Sequence, residues 1–445
     1  MLPETLPRPP AIALDEYRAR RRALMDALPV GSAVMLPAAS LVTRSNDSDY
    51  PFRQNSDFHY LTGFPEPDAL LLLLPGREAG ESVLFCPDKD PQLEAWTGIR
   101  IGAEAAVARY GVDQAFANAE RDGRLSELLD GRQALYLPLD DAAAVASAEG
   151  IRLMLKARAR QGARPPEAFA DVAPLIHEQR LIKSEAELAL MRHAARISAQ
   201  AHVRAMRVAR PGLHEYQLQA ELEHEFRWQG GSGPAYGTIV GGGANACVLH
   251  YVENAARLEA DTLVLIDAGA EFEGYAGDIT RTFPVSGRFS EAQRALYDVV
   301  LTAQERAVAA VSPGVTLSEI HQGVVRDLTH GLVELGLLAG EVEARIDDAS
   351  YKRFYLHSTS HWLGLDVHDV GGYRRDGTPR QLVPGMVLTV EPGLYIPDDD
   401  DIPADLRGTG IRIEDDVAVT VEGHEVLTAT VPKRADEIEA LMAKE

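Results

Sequence analysis

The segment His357–Asp369, HSTSHWLGLDVHD, places three histidines and two aspartates within thirteen residues, interleaved with Trp362, Leu363, Leu365 and Val367. The apolar residues mark a packed segment, and titratable groups buried there need partners. Carboxylates at strand-like positions elsewhere are candidates. Asp267 follows LVLI directly, Asp278 comes eleven residues later, and Glu391 and Glu414 stand in VLTVEPG and GIRIEDDVAV. Aspartate is depleted in strands and costly to bury unpaired. Taken singly, each carboxylate is explained by a cap, a turn or an ion pair to Arg281 or Arg412. Taken together, four carboxylates and one histidine of the segment form a set of mostly hard oxygen donors. That set suits Mn²⁺, Fe²⁺ or Co²⁺ and admits zinc, and it is not a structural thiolate site. Four negative charges balance two divalent cations, and bridging carboxylates would set the ions ~3.5–4 Å apart, as in two-metal hydrolases.

Elements that bring these residues together are readable nearby. Ser184 and Glu187 form a capping box that opens a helix running to about Arg207. Arg210–Gly212 stops it, and a second helix is expected from about His214 to Gln229. The arrangement recurs: Ser290 and Gln293 open a helix to about Ala310, Ser312–Gly314 stops it, and another helix runs to about Leu335. After each pair comes a β-branched strand ending in a carboxylate and a glycine, Asp267-Ala268-Gly269 and Glu391-Pro392-Gly393. A second strand with another carboxylate follows, Asp278 or Glu414. This order predicts an internal duplication with a pseudo-twofold axis and carboxylates of both halves meeting at the centre of a sheet. A hairpin near EFEGY would set Asp267 beside Asp278. TIVGGGANACVLHY reads as strand, turn and strand delivering His250.

The preceding part reads as α/β. Apolar runs AVMLPA from Ala33, ALLLLLP from Ala69, SVLFCP from Ser82 and ALYLPL from Ala134 predict strands, with helical patterns DEYRARRRALMDAL and AEAAVARYG among them. The Pro-rich ARPPEAFADVAP marks a linker or boundary at about residues 164–176. The expected division is an α/β domain over residues 1–172 and an α+β domain over 173–445.

Composition narrows the function. A net charge of −23 argues against a nucleic-acid partner, which demands a basic footprint. No apolar run approaches the ~20 residues of a membrane span, and MLPETLPRPP lacks the pattern of a secretory signal. Two distant cysteines, Cys86 and Cys247, form no disulfide framework or CxxC site, so a cytoplasmic setting is expected. His214-Glu215 and His224-Glu225 lack the second histidine of HExxH, GGGAN is followed by no Gly-Lys-Ser/Thr, and no GxSxG occurs.

GDITRTFPVSG, HSTSHWLGLDVHDVG, VEPGLYIP and GIRIEDDVAVT resemble the pita-bread metallopeptidases, most closely the aminopeptidase P family, and RQNSDFHYLTGFPEPDALLLLLP resembles that family's N-terminal domain. One departure is His59, where relatives usually carry a large aromatic residue. The resemblance implies a pita-bread catalytic domain with Asp267, Asp278, His361, Glu391 and Glu414 as ligands of two divalent ions, Mn²⁺ foremost. It implies catalytic roles for Glu391, His250 and His368, and substrate contacts by His250, His357, His368, Tyr395 and Arg412. The implied reaction is release of the N-terminal residue from peptides with proline second, by a homo-oligomer, either dimer or tetramer. Trp96 resembles a residue that closes a neighbouring subunit's site in some relatives; packing in its own domain core is the other reading. Prolidase, which cleaves Xaa-Pro dipeptides with the same ligands, is the nearest alternative, and Ser360 before His361 favours aminopeptidase P. Methionine aminopeptidase generally lacks so large an N-terminal domain. A metal-free binding module of this fold would have no need to keep all five ligands.

Overall fold

The computed structural model describes residues 5–443. Contacts divide the chain into two compact units, Ala11–Arg180 and a second unit from Leu181 onward that also includes the described residues up to Pro10.

The first unit is built on a six-stranded mixed sheet. Its strands are β1 (Ser32–Pro37), β2 (Leu70–Leu73), β3 (Ser82–Cys86), β4 (Gln114–Ala117), β5 (Ala134–Leu137) and β6 (Ala168–Asp171), in the order β4-β3-β2-β1-β5-β6. β1, β2 and β3 pair antiparallel, and the remaining neighbours pair in parallel. Every side chain of β2 and β3 is buried, which is why those runs are apolar without alternation. The expected linker at 164–176 is instead β6 and the start of a helix, Ala173–Leu181. Pro165 and Pro166 interrupt the pattern, and AFAD is a short edge strand, partly exposed, with no apolar run to announce it. Trp96 lies on the helix Pro91–Thr97 and is 89% exposed, with Ile99 86% exposed, so it does not pack in this unit's core.

The second unit contains the repeated helix pairs: α1 (Glu185–Val208), α2 (Glu215–Trp228), α3 (Glu291–Ala310) and α4 (Leu317–Glu334). The capping boxes at Ser184 and Ser290 form as expected, and Thr316 with Glu319 adds a third. In the first half, β7 (Ile239–Gly242), β8 (Leu263–Asp267) and β9 (Thr280–Pro284) form an antiparallel sheet. In the second, β10 (Val387–Val390) pairs antiparallel with β13 (Asp415–Val419), and β11 (Gly393–Ile396) pairs with β12 (Thr409–Arg412). The halves are stitched at β9. Glu414 N donates to Thr280 O at 3.1 Å, and the Thr282 hydroxyl donates to Arg412 O at 3.0 Å.

A buried ion network anchors the seam. The Arg281 guanidinium donates to Asp415 Oδ1 at 2.7 Å and to the carbonyls of Thr280 at 2.9 Å and Glu414 at 2.5 Å. Lys433 Nζ, Gln304 Nε2 and Thr428 Oγ1 also donate to Asp415. Burial pulls the Asp415 carboxyl upward, but the charges of Arg281 and Lys433 outweigh it and hold the group well below the usual carboxylate range. Removing one partner of such a pair leaves the other charge buried, a loss of about 3–5 kcal/mol. Asp415→Ala is therefore expected to destabilise the second unit by that amount, read as a lowered urea midpoint. A change under about 1 kcal/mol would show that the network does not hold the seam.

Candidate metal centre

Each candidate ligand is placed by a distinct local device. Asp267 ends β8, in register with Thr280 of β9. The following hairpin, Ala270–Phe272 with Tyr275–Ala276, turns through Glu273 and Gly274, both at positive φ. Gly277 N then donates to Ala270 O at 2.9 Å. A Cβ on Gly269 would sit 1.6 Å from Gly277 O, so only glycine permits this approach. The hairpin near EFEGY is thus present and brings Asp278 back beside Asp267. Asp278 itself lies just before β9 rather than within a strand, and its N–H donates to Asp416 Oδ2 at 3.0 Å. Glu391 follows β10, with its N–H on Thr359 O at 2.9 Å. Glu414 lies between β12 and β13. His361 is held against β10 through two bonds to Thr389, His361 N to Oγ1 at 3.1 Å and Thr389 N to His361 O at 3.0 Å.

Ligand atoms of Asp278, His361 and Glu414 all lie within 4.8 Å of one another. His361 Nε2 is 3.5 Å from Asp278 Oδ2 and 3.6 Å from Glu391 Oε1. Asp267 is joined through the Tyr236 hydroxyl, 2.6 Å from Asp267 Oδ1 and also bonded to Asp278 Oδ1, and through Arg412 NH2, 2.6 Å from Asp267 Oδ2. Thr280 Oγ1 donates to Glu414 Oε2 at 2.6 Å.

The electrostatics of this cluster demand a cation. His361 Nδ1 faces Trp362 O at 3.0 Å, where it donates, which leaves the Nε2 lone pair among carboxylate oxygens. Acceptors face acceptors. Burial alone would lower the His361 pKa, but bonding to Asp278 and the charges of Glu391 and Asp278 raise it to about 9. Burial raises Glu391 to about 7 against the pull of His361 and Arg412. Burial, then the charges of Asp278 and Glu391, raise Glu414 well above its ordinary value. Without a metal the cluster is relieved by protons. A divalent ion relieves it better, and the donor set fits one.

The cluster opens on a cavity of about 960 Å³ that all five residues line, together with His250, His357, His368 and Arg412. His368 packs edge-on against His361, ring centroids 4.5 Å apart. His357 Nε2 meets Tyr395 Oη at 2.8 Å, and Arg412 NH1 donates to the same oxygen at 2.8 Å. Burial, then the Arg412 charge, push His357 down to about 4, so its ring is neutral. Tyr395 is buried behind these two residues rather than lining the cavity. The expected strand carrying His250 is absent. A 3₁₀ turn, Gly243–Cys247, and an irregular loop take its place, with Gly242 N and Ala256 N at its two ends donating to the Glu215 carboxyl group of α2 instead of to a strand. Tyr236 and His321 are among the cavity residues not singled out from sequence. Tyr236 precedes β7, and only the β7–β8 register, Ile239 opposite Asp267, reveals its place. His321 on α4 reaches Thr359 Oγ1 with Nδ1 at 2.8 Å; a lone helical histidine carries no signal.

Duplicated halves that contribute opposed carboxylates and one histidine to a cavity define a metallopeptidase of the pita-bread fold. Comparisons with known proteins agree. The chain belongs to metallopeptidase family M24, which matches residues 189–421, and the aminopeptidase P N-terminal domain matches residues 17–136. It is 48% identical to the Xaa-Pro aminopeptidase of Escherichia coli K12 over 97% of this chain and 98% of that one. It is 43% identical to the Xaa-Pro aminopeptidase of Haemophilus influenzae over 96% of this chain and 97% of the relative. The solved structure of Pseudomonas aeruginosa aminopeptidase PepP superposes with a TM-score of 0.96 at 50% identity, covering 97% of this chain and 98% of that one. Zn-substituted E. coli aminopeptidase P in complex with product gives 0.95 at 48% identity, covering 97% and 99%.

The raised groups set a pH dependence. In the metal-free fold Glu391, at about 7 instead of 4.5, and His361, at about 9 instead of 6.5, bind protons more tightly than in the unfolded chain. Their contribution is present at low pH and lost as pH rises through these values. His193, His202 and His357, lowered by burial to about 4, have the opposite sign, but their contribution is complete above 6.5. Between pH 6.5 and 9 the chelated protein should therefore lose thermal stability, and saturating divalent ion should raise Tm more at the upper end. A flat Tm across this window with no response to metal would remove the cluster as a cation site.

Proposed function

We propose that the chain is a dinuclear-metal aminopeptidase that releases the first residue of peptides with proline second. The observation that carries this reading is the cluster of four carboxylates and His361 in the cavity of a chain 48% identical, over nearly its whole length, to a Xaa-Pro aminopeptidase. Asp267, Asp278, His361, Glu391 and Glu414 would hold the ions, Mn²⁺ being the best match to so oxygen-rich a set. Divalent ions held there supply Lewis acidity toward the scissile carbonyl and bring the pKa of a water towards neutrality.

The chain's own groups do the rest. Glu391 accepts the proton of the attacking water and delivers it to the proline nitrogen as that atom leaves. His250 offers a donor to the oxyanion on the scissile carbonyl. His357, neutral and fixed by Tyr395 and Arg412, holds the substrate carbonyl with His368, which also bounds the proline ring. The acidic cluster retains the free α-amine, which restricts cleavage to the first bond. Residues 1–172 help exclude other substrates and support a dimer or tetramer, a role consistent with the exposed Trp96 and Ile99. Cys86 and Cys247 are both free, consistent with a cytoplasmic setting. No helix among the described residues is long and apolar enough to cross a membrane.

Glu391→Gln keeps an oxygen donor but cannot carry a proton, so kcat should fall ~10²–10⁴-fold with metal retained. His361→Ala should lose metal by elemental analysis, and His368→Ala should lose turnover at unchanged metal content. Near-normal kcat in metal-loaded Glu391→Gln rejects the proton-transfer role.

Substrate choice gives a separate test. Proline has no backbone N–H and a fixed φ near about −65°. Replacing it by alanine in Xaa-Pro-Yaa should cost at least ~10-fold in kcat/KM, about 1.4 kcal/mol of transition-state binding. A chelator should abolish cleavage, with Mn²⁺ restoring it best. Xaa-Pro dipeptides should be poorer, since they place a carboxylate by an acidic site and lack the next peptide unit. Dipeptides as best substrates, with tripeptides inert, would establish a prolidase instead.

A further inference from the structure

The loop that carries His250 has no strand partner, yet both its ends are fastened to one helix. Glu215, the first residue of α2, is fully buried, and its carboxylate accepts four neutral donors. Oε1 takes Gly242 N at 2.8 Å and Asn245 Nδ2 at 3.0 Å, from the end of β7 and the 3₁₀ turn. Oε2 takes Tyr251 Oη at 2.8 Å and Ala256 N at 2.8 Å, from the far side of the loop. Glu215 N also donates to Ala256 O at 3.0 Å. One turn along the same face, Gln219 Oε1 accepts Asn254 Nδ2 at 2.9 Å, and Asn254, at φ 48°, ties itself to Val240 N and Thr238 O. Between these fastenings His250 lines the same cavity as the carboxylate cluster, while Leu249 and Tyr251 pack against a small core that includes Ile239, Leu265 and Tyr395.

A carboxyl group buried at the base of this loop, with donors from both of the loop's ends, fixes the span whose exposed tip carries the histidine. Its geometric product is the position of residue 250. We infer that Glu215 is a positioning residue of the reaction: through the 242–256 loop it sets where His250 stands over the scissile bond. This rests on the reading of His250 as an oxyanion donor. Mispositioning a catalytic donor by about 1 Å costs on the order of 10²-fold, so the effect of Glu215 should appear in turnover and not in metal content.

The test is a double-mutant cycle in the metal-loaded full-length enzyme on an Xaa-Pro-Yaa peptide. Glu215→Gln keeps the shape but turns an amide toward a fixed N–H. It should lower kcat about 10–100-fold with KM and metal stoichiometry close to wild type. In a His250→Ala background the same change should cost less than about twofold, because the group it positions is gone. Tyr251→Phe removes a single donor, leaves the carboxylate buried, and keeps the test available if Glu215→Gln folds poorly. It should lower kcat severalfold, and again only when His250 is present. Effects of Glu215→Gln, or of Tyr251→Phe, that multiply fully with His250→Ala overturn the proposal, as does a loss of Tm with kcat unchanged. A His250→Ala enzyme with wild-type kcat overturns it through the histidine, while Xaa-Pro cleavage by the wild type would still stand. Absence of that cleavage would instead bring down the aminopeptidase reading itself.

Discussion

Mutual repulsion among carboxylates held out of water is the constraint on which the second unit is organised. Asp278 and Glu414 are almost fully buried, and Glu391 and Asp267 stand close by at the cavity floor. Brought together without compensation such groups would drive the halves apart. The fold meets this with graded support. Arg412 pairs Asp267, Thr280 and Thr389 donate to the glutamates, Tyr236 spans the two aspartates, and His361 turns Nε2 to the carboxylates at the centre. What is left over is a demand for cationic charge that defines the site.

The run Glu414-Asp415-Asp416 shows how finely strand geometry sorts identical charges. Neighbouring side chains of an extended chain point to opposite faces. Glu414 faces the cluster, where burial and its acidic neighbours raise its pKa. Asp415 faces the other way, into Arg281 and Lys433, and is held ionised. Asp416 turns back and braces the Asp278 backbone, and burial again, with the Asp278 charge, favours its protonated form. One tripeptide thus supplies a candidate ligand, a structural anion and a brace, and no residue type distinguishes them.

That sorting explains what was legible in the sequence. Helix pairs could be read because capping boxes and Pro-Gly stops are local chemistry, and Ser184, Ser290 and the stops after Val208 and Ala310 stand where expected. Ligand candidates could be read because carboxylates are out of place beside β-branched runs. What failed depends on distant pairing. Strand β6 exists only because β5 offers it an edge. The His250 loop is shaped by Glu215 and Gln219 from a helix whose sequence looks like any amphipathic surface helix. Tyr236 enters through strand register alone. Local patterns name the parts; long-range hydrogen bonds decide which parts touch.

The seam at Thr280 and Thr282 has a consequence for the time course of synthesis. Asp267 and Asp278 come from the first half, while His361, Glu391 and Glu414 come from the second, and the last of these rests on Thr280 and is braced by Arg281. A growing chain that has not yet emerged beyond Arg412 can hold neither the complete donor set nor the network around Asp415. The donor set is therefore incomplete through most of the chain's own translation, whatever the state of the first half. Chain order alone thus delays completion of the donor set until synthesis is almost finished.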